Sequence, residues 1–189
     1  SYLFEAAIFS GLPDKALKEL EEGMEIVENS NDKNSEKIIR VKADLLITYS
    51  NYYSLKNDFK NRLKYIKLSG KQYERLPEGE DKQYLMWLHY SNMAGAYKEV
   101  NELDSAKYFA QLSLSKDQGY ENSEVRSMIL SILGDLAVKD LDYRKALSYF
   151  KETERLQGYQ NHYNIQLLYD NIILSYQKLQ IEDSARIYK

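Results

Sequence analysis

The chain has 189 residues, of which 26 are Lys or Arg and 29 are Asp or Glu, so its formal net charge is −3. A hydrophobic fraction of 43% suffices for a core and excludes a globally disordered chain. The absence of cysteine excludes disulfides and thiolate sites, and the acidic balance argues against a dedicated nucleic-acid-binding domain, which is normally basic.

The spacing of apolar residues predicts helices along the whole chain. Apolar residues recur at three- and four-residue intervals, Pro13 suits a first helical turn, and Gly119 and Gly158 suit helix C-terminal caps. No run approaches the roughly 18 apolar residues of a membrane span. In chain order, the predicted helices cover residues 1–10, 13–29, 36–56, 58–76, 82–100, 103–117, 123–139, 142–157, 161–180 and 183 onward.

Short sequences recur along the chain at a fixed interval. Asp104-Ser-Ala106 returns as Asp183-Ser-Ala185, and Gln118-Gly-Tyr-Glu-Asn122 returns at half that separation as Gln157-Gly-Tyr-Gln-Asn161. One period of about 40 residues explains both pairs, and a period of this length is typical of proteins built from stacked helix pairs.

The repeating unit is clearest between Leu130 and Glu154, where two helical stretches flank a polar break at Lys139-Asp140. It resembles a tetratricopeptide repeat (TPR), whose pattern is a large residue, then Leu-Gly, then Tyr, then Ala-x-x-x-Phe. The residues that carry the resemblance are Leu130, Leu133, Gly134, Ala137, Tyr143, Ala146 and Phe150. In this family the small residues let the paired helices approach closely.

The other units align on this one, and the interval between successive units shortens along the chain towards the period of about 40 residues. The second unit departs from the pattern at Arg62, where a small residue is expected. The resemblance implies an all-α, right-handed α-solenoid of about five TPR-like helix pairs, forming one superhelical domain over residues 1–189. The aligned positions are Leu3, Phe4, Ala7, Ala16 and Leu20; Leu46, Tyr49, Ser50, Tyr53, Phe59 and Ile66; Tyr90, Met93, Ala94, Tyr97 and Ala106; and Tyr169, Ile172, Ile173, Tyr176 and Ala185.

Motifs for catalysis are missing from the sequence. It contains no glycine-rich phosphate loop, dinucleotide fingerprint, zinc-protease motif or nucleophile elbow. His89, beside Trp87, is predicted to be a packed ring, and His162 lies at a predicted helix start. We therefore predict a protein that is not an enzyme and has no cofactor and no metal site.

Charge is distributed unevenly in the first half of the chain. Residues 14–37 have a net charge of −4 and residues 38–75 a net charge of +6. Lys60, Lys64, Lys67 and Lys71 share one helical face. This face is interpreted first as a solvated helix surface, and alternatively as a site for an acidic partner, nucleic acid or a membrane. The tyrosines at repeat positions are interpreted first as core residues.

The TPR resemblance also predicts a binding surface, because the first helix of each pair lines the concave groove in this family. Amides on that surface can donate to and accept from a peptide backbone. Few cations accompany them, which favours an extended peptide with neutral or basic side chains. The alternative is an ordinary polar surface without one ligand. The candidate residues are Asp44, Thr48, Asn51, Ser91, Asn92, Ser131, Asp135, Asp170 and Asn171.

The resemblance extends to a biological role. TPR arrays with long, tyrosine-rich repeats resemble the sensory segments of bacterial transcription regulators and sensor kinases, which bind a peptide or protein partner or self-associate. A separate domain gives the output, and both chain ends here are expected to be cut from a longer protein. The alternatives are a stand-alone adaptor or assembly chaperone, and a homodimerisation module. No nucleic acid is expected to bind this segment itself, and its compartment, cytoplasmic or periplasmic, stays open.

Overall fold

The computed structural model describes residues 13–119, 123–157 and 162–181, together with residues 183, 185 and 187. Over these residues the chain is all-α, with eight helices and no strand, which confirms the predicted fold class. The predicted helix 1–10 and Gly158 lie outside the described residues. The helices are α1 (Pro13–Glu28), α2 (Glu36–Leu55), α3 (Phe59–Tyr73), α4 (Glu80–Glu99), α5 (Leu103–Lys116), α6 (Ser123–Lys139), α7 (Tyr143–Gln157) and α8 (His162–Lys178).

Local side chains fix where these helices begin and end. The Ser35 hydroxyl accepts a hydrogen bond from the Ile38 backbone N–H at 3.4 Å and caps α2. Asp58 Oδ1 accepts from the Asn61 N–H at 3.1 Å and caps α3, as short polar side chains do at helix starts. Gly119 has a positive φ of 81° between α5 and α6, a conformation that favours glycine.

Within the described residues, one turn geometry recurs four times, at the ends of α2, α4, α6 and α8. At each turn one residue is left-handed, and the residue after it closes a Schellman motif by donating its backbone N–H back to the helix. These bonds measure 2.9–3.0 Å and join Asp58 to Tyr53, Glu102 to Tyr97, Asp142 to Ala137 and Ile181 to Tyr176. The left-handed residues are Asn57, Asn101, Leu141 and Gln180, with φ of 57–60°.

The spacing of these left-handed positions matches the predicted repeat. Successive positions are separated by the same intervals as the last four aligned units, close to the expected period of about 40 residues, which confirms the last three predicted repeat intervals. The first interval involves positions outside the described residues. Four first helices are described, namely α2, α4, α6 and α8. The second helices of the first three of these pairs are α3, α5 and α7. In the repeat alignment, α1 is the second helix of the preceding unit.

The chain divides into two compact units, residues 1–89 and 90–189. In the first unit, α1 and α3 both pack against α2. Arg62, the departure from the repeat pattern, is half-buried and donates from Nη1 to Ser54 Oγ at 3.2 Å. The core consists of two clusters, one of Ile39, Ala43, Tyr73 and Leu76 and the other of Leu20, Tyr49 and Tyr52.

In the second unit, α6 packs against α5 and α7, and α7 packs against α8. Gly134 is the point of closest approach between α6 and α7, because a Cβ there would lie 2.4 Å from Phe150 Cε1. The core clusters are Ala94, Ala106, Ala110, Ile129, Ile132, Leu133 and Leu136, and Ala137, Ala146, Phe150, Leu168 and Ile172. None of the helices in the described residues combines the length and the hydropathy that crossing a membrane requires.

Candidate functional site

Three candidate residues of the first unit lie along α2. Thr48 Oγ1 donates to the Asp44 carbonyl oxygen at 2.8 Å, so its hydroxyl is used within the helix. Asp44 and Asn51 are exposed. Although solvent reaches Asp44, partial burial raises the pKa of its carboxyl, and the positive charge of Arg40 acts in the opposite direction. The surface of α2 therefore offers one carboxylate and one amide to a ligand.

In the second unit, polar side chains from three successive first helices meet at Asp135. Lys98 Nζ on α4 donates to Asp135 Oδ2, and Asn171 Nδ2 on α8 donates to Asp135 Oδ1 at 3.1 Å. The Lys98 and Asp135 side chains are 34% and 23% exposed. We call Lys98, Asp135 and Asn171 the polar ladder. It brings together two residues predicted from the sequence, and it balances the Asp135 charge with Lys98.

Other candidates in the second unit flank this ladder. Asp170 is exposed, and its Oδ1 accepts from Gln166 Nε2 at 3.0 Å. Ser131 and Asn92 are half-buried. Asp170 immediately precedes Asn171 on α8, so its exposed carboxylate lies about 100° around the helix axis from the ladder amide.

Ser91 does not lie on an accessible surface, contrary to its predicted place in the groove. It is 1% exposed. Ser91 shares the i, i+4, i+7 stripe of α4 with Trp87 and Ala94, both of which are 0% exposed. This stripe of α4 is buried, although the TPR resemblance assigned Ser91 to the ligand side.

Lys98 is a functional candidate that the sequence reasoning missed. In the repeat alignment, Lys98 corresponds to Val138 and Gln177 of the next two units. The residue type therefore differs from unit to unit, and the alignment does not identify Lys98 as a binding residue. The available signal was its position three residues after Gly95, which aligns with Asp135 of the next repeat, because residues three apart share one helix face. Its partner Asp135 lies in the next repeat, and that pairing depends on helix stacking.

The histidine and tyrosine positions fit core packing. His89 is 7% exposed, lies edge-on to Tyr73 with ring centroids 6.4 Å apart, and covers Gly70, where a Cβ would be 2.3 Å from His89 Nε2. Burial lowers the pKa of His89 to about 4. Tyr97 stacks on Phe109 at 5.4 Å. The His162 side chain lies outside the described residues.

Tyr49 also belongs to the core, in an aromatic stack of the first unit. It is 7% exposed and stacks on Tyr65 at 4.9 Å, while Tyr53 stacks on the same ring at 5.3 Å. Burial is the main cause that raises the pKa of Tyr49 to about 12. Among the described side chains, no group of three His, Asp or Glu residues is placed to hold a metal ion.

A hollow of about 250 Å³ lies between α5, α6 and α7. Lys107 Nζ donates to Asp140 Oδ2 across it at 2.7 Å, and this bond is the main cause that raises the pKa of Lys107. Lys145 and Asp142 complete the charged lining. With two charges of each sign, the hollow has no electrostatic preference for a charged ligand.

Comparisons with known proteins give a likeness of fold. No protein-family model matches the chain, and no curated protein matches it. Thirteen chains of solved structures match. One is BtubC (BKLC) from P. vanneervenii, whose crystal structure aligns with a TM-score of 0.71 at 17% sequence identity, covering 93% of this chain and 70% of that one. At this identity, the likeness concerns the fold alone.

Proposed function

We propose that this chain is a TPR-like module that is not an enzyme and that binds an extended peptide or protein segment through its first helices. Its helix pairs would stack as a right-handed α-solenoid, an architecture that creates long binding surfaces. The repeated Schellman turns and the close approach at Gly134 support this architecture.

The observation that carries the binding role is the polar ladder. Three successive first helices place Lys98, Asp135 and Asn171 in one hydrogen-bonded line that is still partly exposed. A line of donors and acceptors across stacked helices is suited to an extended backbone, whose N–H and C=O groups alternate. The exposed carboxylates of Asp44 and Asp170 favour a peptide with neutral or basic side chains.

Selection from a phage-displayed random peptide library, followed by calorimetry of the enriched peptides, tests this role. Asn92→Ala and Asp170→Asn in the second unit should each weaken binding about fivefold, the effect of losing one hydrogen bond worth about 1 kcal/mol. Asn51→Ala applies the same test to the first unit. Asn31→Ala, which removes an exposed amide from the α1–α2 connection, is the matched control.

Enriched peptides with basic or neutral side chains and a selective loss in the groove variants would support the proposal. If Asn51→Ala, Asn92→Ala and Asp170→Asn are all folded and all retain the affinity of the parent chain, the peptide-binding surface has been assigned wrongly. The same conclusion would follow if no sequence were enriched.

We further propose that the module is the sensory or oligomerisation segment of a bacterial signalling protein, such as a transcription regulator with a separate DNA-binding domain. The support is the resemblance of its long, tyrosine-rich repeats to those segments. Sequencing the complete reading frame distinguishes this role from a stand-alone adaptor or assembly chaperone. A DNA-binding or kinase domain in the same frame would support the signalling role, and a frame without one would favour the adaptor.

A further inference from the structure

The outer face of α1 and the connection after it form an uninterrupted acidic surface. Residues 19–32 contain six acidic residues and no basic residue. The last turn of α1 contains no basic residue, although a helix C-terminus favours cations. The acidic face consists of Glu19, Glu21, Glu22, Glu25, Glu28 and Asp32, all of which are exposed.

The outer face of α3 has the opposite charge. The helix contains five basic residues and no acidic residue, and none of its first-turn residues is acidic, although a helix N-terminus favours anions. The basic face consists of Lys60, Lys64, Lys67 and Lys71, all exposed. At 1.5 Å per residue it extends over about 16 Å. Lys71, in the last turn of α3, suits that helix C-terminus, whereas the acidic residues near the C-terminus of α1 do not stabilise their own helix.

The two faces match in spacing as well as in sign. Glu21, Glu25 and Glu28 on α1 follow intervals of 4 and 3 residues, as Lys60, Lys64 and Lys67 do on α3, and Asp32 lies in the turn beyond the end of α1. Internal pairing uses only part of this charge. Glu28 pairs with Lys42 at 3.1 Å, and Glu22 pairs with Lys18 at 3.8 Å.

Part of each face remains available to a partner. Within the described part of the chain, Glu21 and Glu25 form no ion pair, and neither do Lys60, Lys64 and Lys71. These five residues therefore combine exposure with charge that no described ion pair uses.

We propose that the acidic face of one copy binds the basic face of a second copy of this chain. The two faces lie on different helices, so the contact is heterologous and each copy can engage two others, forming a ring or an open chain. Ile26, 72% exposed on α1, would be covered by the aliphatic stems of the partner's lysines. This surface is separate from the polar ladder, so the proposal is independent of peptide binding.

A second copy fits the basic face better than a nucleic acid or a membrane does. A polyanion on the lysines of α3 would pair only the basic face and would gain nothing from the exposed carboxylates of α1. Another copy instead brings one face of each sign. Such an ion-pair contact is weakened by salt because its charges are exposed.

Sedimentation velocity of the purified chain at low and high salt tests the proposal. We expect concentration-dependent association at about 20 mM salt that weakens at least tenfold at about 300 mM. Two reversal variants, Glu21→Lys/Glu25→Lys and Lys64→Glu/Lys71→Glu, should each be monomeric. An equimolar mixture of these two variants should associate again, because each supplies the face that the other lacks.

Circular dichroism of each variant verifies folding, and Lys139→Glu/Lys178→Glu controls for the change in net charge, since both lysines are exposed in the second unit. A monomeric parent chain at low salt, reversal variants that still associate, or a mixture that stays monomeric would each overturn the proposal. So would binding of phosphatidylserine vesicles or duplex DNA that requires Lys64 and Lys71 in a chain that does not self-associate.

Discussion

Replacing Gly134 with Ala would test the close packing of α6 on α7. The new Cβ would lie 2.4 Å from Cε1 of Phe150 and 2.7 Å from its Cδ1 and Cζ. Phe150 is 1% exposed, so its ring can give way only by displacing other core side chains. Overpacking of a buried ring costs up to about 3 kcal/mol, and Ala regains about 1 kcal/mol of helix propensity over Gly. The net destabilisation should be about 2 kcal/mol.

A double-mutant cycle with Phe150→Leu isolates the steric contact from other effects. The preceding repeat supports the design, because Ala94 stands where Gly134 stands and Ala110 where Phe150 stands, and both are 0% exposed in one core cluster. The small alanine partner there leaves room for a methyl group. We therefore expect Gly134→Ala to be much less damaging in the Phe150→Leu background, with a coupling of about 1–2 kcal/mol.

Urea unfolding, followed by circular dichroism, measures the free energy of unfolding of the parent chain, the two single variants and the double variant. Gly79→Ala is the steric control, since nothing lies within 4 Å of a Cβ at that position. Because Gly79 precedes α4 and its carbonyl oxygen accepts from the Gln83 N–H, this variant should lose no more than about 1 kcal/mol, the usual cost of Ala at an N-cap. Additivity within about 0.5 kcal/mol would refute the reasoning, as would a Gly134→Ala variant more stable than the parent chain.

Three further predictions concern single residues. Leu141 has a φ of 60° and is 70% exposed, so Leu141→Asn should stabilise the chain by up to about 1 kcal/mol, and Asn101→Leu should destabilise it by a similar amount; urea midpoints that shift in the same direction would contradict this. Burial lowers the pKa of His89 from 6.5 to about 4, so stability should be full above pH 6.5 and fall by up to about 3 kcal/mol as pH drops towards 4; a pH profile that His89→Gln does not flatten would disprove the assignment. The pKa values of Tyr49 and Tyr73 are raised to about 12, so both phenols should ionise only well above pH 10, with stability lost between pH 10 and 12; in an ultraviolet titration, all tyrosines ionising near pH 10 in the folded chain would be inconsistent with this.

Helix positions could be predicted because they depend on local patterns. The apolar period, Pro13 and the Gly119 turn act within one or two helical turns, so each described helix begins and ends within three residues of its predicted bounds. The repeat interval could also be predicted, because short segments such as Asp104-Ser-Ala106 recur in the sequence, and the turns at Asn57, Asn101 and Leu141 have the same spacing as the aligned units. The left-handed conformation of Leu141 could not be predicted from its residue type. It is imposed by the backbone hydrogen bonds of the turn, in which the Leu141 and Asp142 N–H groups donate to Val138 and Ala137.

The candidate site was predictable only in part. The candidate residues were taken from the TPR resemblance, and Asp44, Asn51 and Asp170 are indeed exposed. The resemblance does not show how many sides of a particular helix are covered, so Ser91 was assigned to the ligand side although it is buried. It also does not show the register between repeats, which decides that Asp135 meets Lys98.

By itself, the sequence determined an all-helical chain, the order and length of its helices, the spacing of its repeats and the charged faces of α1 and α3. These properties follow from interactions between residues a few positions apart. Only the tertiary structure decided which side chains meet across repeats. The fit of Gly134 to Phe150, the burial of His89 over Gly70 and the pairing of Lys98 with Asp135 join residues from different helices, several turns apart along the chain. Contacts of that separation depend on how whole helices are stacked, because packing and desolvation act on neighbours in space.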